Sequence, residues 1–135
     1  GWTYLALHAD MAGADSLYLD CERTAQLELL RRRRAKYTPG REPVSAAGRL
    51  VIVVDDGLAT GASMIAALHA IREQRPSRLV CAVPVAPPET LRRLDQYADE
   101  VVCLELPRHF RAVGEFYRTF PQVEDEQVIA CLNPH

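Results

Sequence analysis

Apolar positions along the chain fall into two patterns. Three short runs, at residues 51–54, 78–83 and 101–104, are nearly continuous. The run at 51–54 is wholly β-branched, which suits a strand buried on both faces of a parallel sheet. Between the runs the spacing turns helical. Met64, Leu68 and Ile71, with Ala67 beside them, form one face of a helix over about 61–74. The proline-rich residues 84–88 end the second strand and start a helix to about residue 97, with Leu91, Leu94 and Ala98 in register. Strand, helix, strand, helix, strand predicts right-handed crossovers and an α/β fold built on a mainly parallel sheet. Ligands of such sheets bind outside the carboxyl ends of the strands, here at 55–63, 84–88 and 106–110.

The flanks are read from weaker patterns. Residues 2–9 and 16–20 read as strands joined by a turn at 10–15, an N-terminal β-hairpin. Residues 21–37 read as a helix capped by Asp20, with Leu27 and Leu30 as a narrow apolar stripe. Arg31, Arg32, Arg33 and Arg34 fall within it; consecutive residues point all round a helix, so a solvated polar helix is expected. Residues 37–43 form a Pro- and Gly-containing loop that carries Arg41. Beyond the third strand, residues 110–125 hold Phe110, Phe116, Tyr117 and Phe120, and a short helix is expected from Asp125 to about Leu132. Packing is the first expectation for each of these rings, with a planar ligand or a lid as the alternative. His109 has the intrinsic pKa of an acid–base group but reads as a surface residue.

Composition narrows the class. A chain of 135 residues, 48% hydrophobic and 25% charged, can bury one core as a single domain over 1–135. A net charge of −2 gives no electrostatic case for nucleic acid. No apolar run approaches membrane-spanning length and no signal peptide is visible. Cys21, Cys81, Cys103 and Cys131 are widely spaced with no CxxC, which argues for neither a zinc site nor a disulfide framework. A cytoplasmic location is the resulting expectation.

The chemistry concentrates where the first strand ends. Asp55 and Asp56 place two carboxylates at its carboxyl end, followed by Gly57-Leu58-Ala59-Thr60-Gly61-Ala62-Ser63. This small-residue loop can wrap backbone N–H groups around an anion, and a helix starting near Gly61 adds its own unpaired N–H groups and dipole. Thr60 and Ser63 offer hydroxyl donors. Two carboxylates beside a bare phosphate would be repulsive, whereas a sugar phosphate would use both features: phosphate on the loop, hydroxyls on the acids. No Gly-Lys-Ser/Thr closes the loop as in a P-loop, and Gly-x-Gly-x-x-Gly is absent.

Strand, Asp-Asp, then Ala-Thr-Gly-Ala-Ser resembles the signature of type I phosphoribosyltransferases, which bind 5-phosphoribosyl-1-pyrophosphate (PRPP). Residues 82–88 and 110–125 extend the resemblance to an uncharacterised bacterial branch, over nearly the whole chain. The resemblance implies a three-layer α/β/α domain, here partial, since the family's earlier strand and pyrophosphate loop have no candidate. That strand would pair beside residues 51–54; its absence leaves an edge that invites pairing between chains, a homodimer included. It implies transfer of the phosphoribosyl group to a nucleobase-like acceptor with release of pyrophosphate, magnesium entering with PRPP. Carried over, Asp55 and Asp56 bind the ribose hydroxyls and act in catalysis, and Gly57, Ala59, Thr60, Gly61, Ala62 and Ser63 complete the PRPP site. Arg41 is read as a pyrophosphate contact and residues 84–88 as a wall for the acceptor. The alternative is a non-catalytic module that binds PRPP or another ribose 5-phosphate for regulation.

Overall fold

A computed structural model describes residues 16–133. In chain order the elements are helix α1 (Ser16–Tyr37), strand β1 (Leu50–Val54), helix α2 (Ala62–Arg72), strand β2 (Arg78–Val85), helix α3 (Pro88–Leu94), strand β3 (Glu100–Glu105), a 3-10 turn (Val113–Phe116) and helix α4 (Asp125–Leu132). Their contacts gather into two compact units, residues 44–120 and residues 16–43 with 121–133.

The first unit carries the sheet. Its three strands run in the order β1-β2-β3. Both pairings are parallel, with Ile52 opposite Val80 and Ala82 opposite Val102. The expected α/β topology is therefore present. Met64, Ile65 and Leu68 of α2 and Leu94 of α3 pack with Leu79, Cys81 and Val83 of β2 in one core, flanked by Val51, Val53, Val101 and Cys103. The alternation of side chains along a strand puts these strand residues on a single face. Ile65, outside the stripe read from the sequence, is fully buried, as is Thr90 on α3. Burial pushes the Cys81 thiol up to about 11, with Cys103 and Asp55 adding to the rise.

The other face of the sheet departs from expectation. Leu50, Ile52 and Val54 are 57%, 56% and 71% exposed, so β1 is not buried on both faces. Among the described residues this unit has one helical layer, not two. A continuous β-branched run records strand propensity on both faces, and does not record what covers the second.

At the start of β3, one carboxylate ties three elements together. Asp99 accepts the Leu79 N–H at 2.7 Å and two bonds from the Arg72 guanidinium at 2.8 and 3.2 Å. The Arg72 hydrogen bond, then the Leu79 N–H, hold the Asp99 carboxyl below its ordinary range.

The second unit corrects the hairpin. Residues 16–20, read as a strand, are the first turns of α1; residues 2–9 lie outside the described residues. No Gly or Pro separates 16–20 from the helix-forming run behind them, so nothing in the sequence stops the helix short of Ser16. Asp20 is thus inside the helix rather than its cap, and its carbonyl accepts the Thr24 hydroxyl at 2.8 Å. Arg31 to Arg34 are exposed, as are Leu27 and Leu30. Helix α4 forms where expected, opened by a reciprocal capping box between Glu124 and Gln127. It meets the end of α1 through Asp125, which pairs with Lys36 and accepts the Tyr37 hydroxyl at 2.6 Å. Those two hydrogen bonds lower the Asp125 carboxyl.

Candidate functional site

The chain leaves β1 at Val54 and turns through Asp55 and Asp56, both exposed. The Asp56 N–H donates to Asp55 Oδ1 at 2.9 Å, a local bond that shapes the turn. Leu58 then dips into the core, 3% exposed, and its N–H donates to the Val85 carbonyl at 3.0 Å. That bond fastens the loop to the carboxyl end of the central strand. Gly57 makes the approach possible. Its φ is 155°, and a Cβ there would sit 2.7 Å from Val113 Cγ1 and 2.9 Å from Val85 Cγ1.

From Ala59 the loop climbs to α2. Gly61 caps the helix in the left-handed conformation, φ 74°, with no side-chain cap. Its carbonyl accepts the Ile65 N–H at 2.9 Å, and the Thr60 hydroxyl accepts the Ala62 N–H at 3.4 Å. On the α3 side, Thr90 Oγ1 donates to the Ala59 carbonyl at 2.6 Å and Arg93 Nη2 to the Thr60 carbonyl at 2.9 Å. The result is an open hollow of about 130 Å³ lined by Asp55 and residues 57–64. Its wall is mostly backbone and small side chains at a helix N-terminus, which is anion-binding chemistry. Asp55 supplies an acceptor for hydroxyl donors on the same ligand.

A third segment meets the loop. Tyr117 Oη donates to the Asp56 carbonyl at 2.6 Å, just past the Val113–Phe116 turn that covers Gly57. Phe110 stacks on Phe116 with centroids 5.4 Å apart, and Tyr117 tilts against Phe120 at 5.0 Å. The aromatic stretch therefore packs on itself and also anchors the acidic turn, while Phe116, Tyr117 and Phe120 keep 39%, 37% and 49% of their surface open.

Of the residues read from the sequence, the structure gathers Asp55, Gly57, Ala59, Thr60, Gly61, Ala62 and Ser63 around one hollow. Asp56 is exposed beside it and does not form part of the lining. Arg41 is exposed and belongs to the second unit. His109 is exposed. No group of three or more His, Cys, Asp or Glu side chains suited to a metal ion occurs among the described residues. Sequence reading missed Thr90, Arg93 and the anchoring role of Tyr117. Each acts on a backbone carbonyl far away in the chain, and no local pattern encodes such a contact.

Comparison with known proteins bears on this loop directly. A model of the phosphoribosyl transferase domain matches residues 24–120. Two Mycobacterium tuberculosis proteins, from strains CDC 1551 / Oshkosh and ATCC 25618 / H37Rv, are provisionally named phosphoribosyl transferases. Each is 41% identical over 119 residues, covering 88% of this chain and 27% of its own length. The crystal structure of TT1426 from Thermus thermophilus superposes with a TM-score of 0.77 at 46% identity, over 92% of this chain and 59% of that one. The chain thus spans about a quarter of the length of these curated relatives. Since the matched region takes in the whole sheet and the loop that follows β1, the chain belongs to the phosphoribosyl transferase domain family.

Proposed function

We propose that the hollow after β1 holds the phosphoribosyl moiety of PRPP, and that the protein containing this chain transfers it to a nucleobase-like acceptor. The observation that carries this reading is the pairing of a backbone-lined anion cradle with the Asp55 carboxylate in one 130 Å³ hollow. The 5′-phosphate sits against the N–H groups and hydroxyls of residues 59–63, and the ribose hydroxyls donate to Asp55 and Asp56. In the reaction the bond from ribose C1 to the pyrophosphate oxygen breaks, the electron pair leaving with pyrophosphate. A bond from C1 to the acceptor's nucleophilic atom forms, and the acceptor's proton is released. Positive charge gathers at C1 as in glycoside cleavage, where nearby carboxylates stabilise it.

Magnesium would enter this site with the substrate, where the exposed carboxylates of Asp55 and Asp56 offer hard oxygen donors. When bound it would neutralise the leaving pyrophosphate. The chain's residues orient the ribose and hold its phosphate.

Calorimetry with ribose 5-phosphate tests the site. Ser63→Ala and Asp55→Asn should each weaken binding by about tenfold or more, the range for hydrogen bonds to charged groups. Unchanged affinity in both variants overturns the assignment. A pyrophosphate-release assay across purine, pyrimidine and other acceptors tests the transfer. Ribose-phosphate binding without release under any acceptor favours the regulatory module instead.

A further inference from the structure

A glycine-containing turn has many accessible conformations, so contacts from outside it can decide where its N–H groups aim. We propose that Thr90 and Arg93 of α3 are positioning residues that hold the cradle in its anion-binding form; the proposal rests on the phosphate reading above. Thr90 Oγ1 draws the Ala59 carbonyl toward α3 at 2.6 Å, and Arg93 Nη2 draws the Thr60 carbonyl the same way at 2.9 Å. Arg93 Nη2 also lies 3.4 Å from Thr90 Oγ1, so the two side chains form one network.

The consequence follows from peptide geometry. Across a planar trans peptide the carbonyl of one residue and the N–H of the next point in opposite directions. Fixing the carbonyls of Ala59 and Thr60 on α3 therefore turns the N–H groups of Thr60 and Gly61 away from α3. No residue of α3 lines the hollow, whereas Thr60 and Gly61 both do. Neither N–H has a hydrogen-bond partner among the described residues. Thr90 also sets the spacing: its Cγ2 would be 2.8 Å from a Cβ on Gly61, so the loop rests directly on the threonine methyl. Thr90 is 1% exposed, a buried hydroxyl that donates to the Ala59 carbonyl and accepts from Arg93.

The test combines ribose 5-phosphate titration with the amide resonances of Thr60 and Gly61, each variant held well below its own melting temperature. Thr90→Val keeps the methyl and removes the donor; Thr90→Ser keeps the donor; Arg93→Met removes the second donor. Thr90→Val and Arg93→Met should each weaken ribose 5-phosphate by about three- to tenfold, the range for one hydrogen bond. Both should shrink the ligand-induced shifts of the Thr60 and Gly61 amides, and Thr90→Ser should restore binding and shifts. If Thr90→Val does not fold, Arg93→Met decides by the same criteria. A role for Arg93 as a distant charge alone would lower affinity while leaving the amide shifts at saturation unchanged, and that overturns the proposal. So does wild-type affinity in Thr90→Val while Ser63→Ala binds weakly, an outcome that leaves the phosphate site standing. Wild-type protein with no phosphate-dependent shift at Thr60 or Gly61 sinks the site and the positioning role together.

Discussion

Single positions in this chain carry constraints that their neighbours do not share, and Gly57 is the sharpest. Its positive φ of 155° coincides with side chains from two other segments, Val85 and Val113, in the space a Cβ would occupy. Both the backbone angle and the contact must give way on substitution. Gly57→Ala should therefore cost about 2–4 kcal/mol, summing strain and overpacking. Chemical denaturation measures this directly, and a loss under about 0.5 kcal/mol, the range of an ordinary surface change, would show that the turn relaxes freely. Tyr117 is expected to respond too, because its bond to the Asp56 carbonyl spans the residue before the glycine. The acidic pair and its small-residue loop were legible in the sequence because their chemistry is local: strand, acids, loop and helix start follow one another without a break. Tyr117, Thr90 and Arg93 were not, since a tyrosine in an aromatic stretch and two polar residues on a short helix look alike whether or not they reach a carbonyl across the fold.

At the scale of elements, periodicity predicted what periodicity can encode. Helices α2, α3 and α4 and all three strands stand where spacing put them, within a few residues. Ile65 escaped because a stripe built from residues 64, 68 and 71 is narrower than the surface α2 buries. Residues 16–20 were misread because a few alternating positions fit a turn of helix as well as a strand, and the stop signal that would separate them from α1 is missing. The joints between elements use charge, and Asp99 gives a sign to the pH dependence. Its folded-state pKa lies below the ordinary carboxylate value of about 3.9. The stability it adds is therefore full above that value and is lost as pH falls through the lower folded value. In wild type the denaturation midpoint should drop below about pH 4 more steeply than in Asp99→Asn, which lacks this contribution. Parallel acid limbs in the two proteins would mean that the Arg72 and Leu79 bonds to Asp99 contribute nothing in solution.

For the molecule as a whole, the sheet's second face is where the reading of residues 51–54 as a strand buried on both faces fails. Parallel register places Leu50, Ile52 and Val54 of β1 on the same side as Val102 and Leu104 of β3, with Val80 and Ala82 between them. Val54 and Leu104 are 71% and 77% exposed, and Val102 is 40% exposed. A contiguous apolar surface of this kind favours association over solvation. β1 leads into the hollow that follows it, but the side chains of this face point away from the core packed against α2 and α3, so the two surfaces can be altered separately. Ile52→Lys with Leu104→Lys should lower self-association of this 135-residue chain, read by sedimentation velocity, and should abolish binding of a hydrophobic dye. Stability should change by less than about 1 kcal/mol, as expected for exposed sites, and ribose 5-phosphate affinity should stay at the wild-type level. A wild-type chain that sediments as a monomer and binds no dye would show that this face is closed in solution. Loss of ribose 5-phosphate binding in the double variant would show that face and hollow are coupled through the sheet, against the separation that the one-sided core implies.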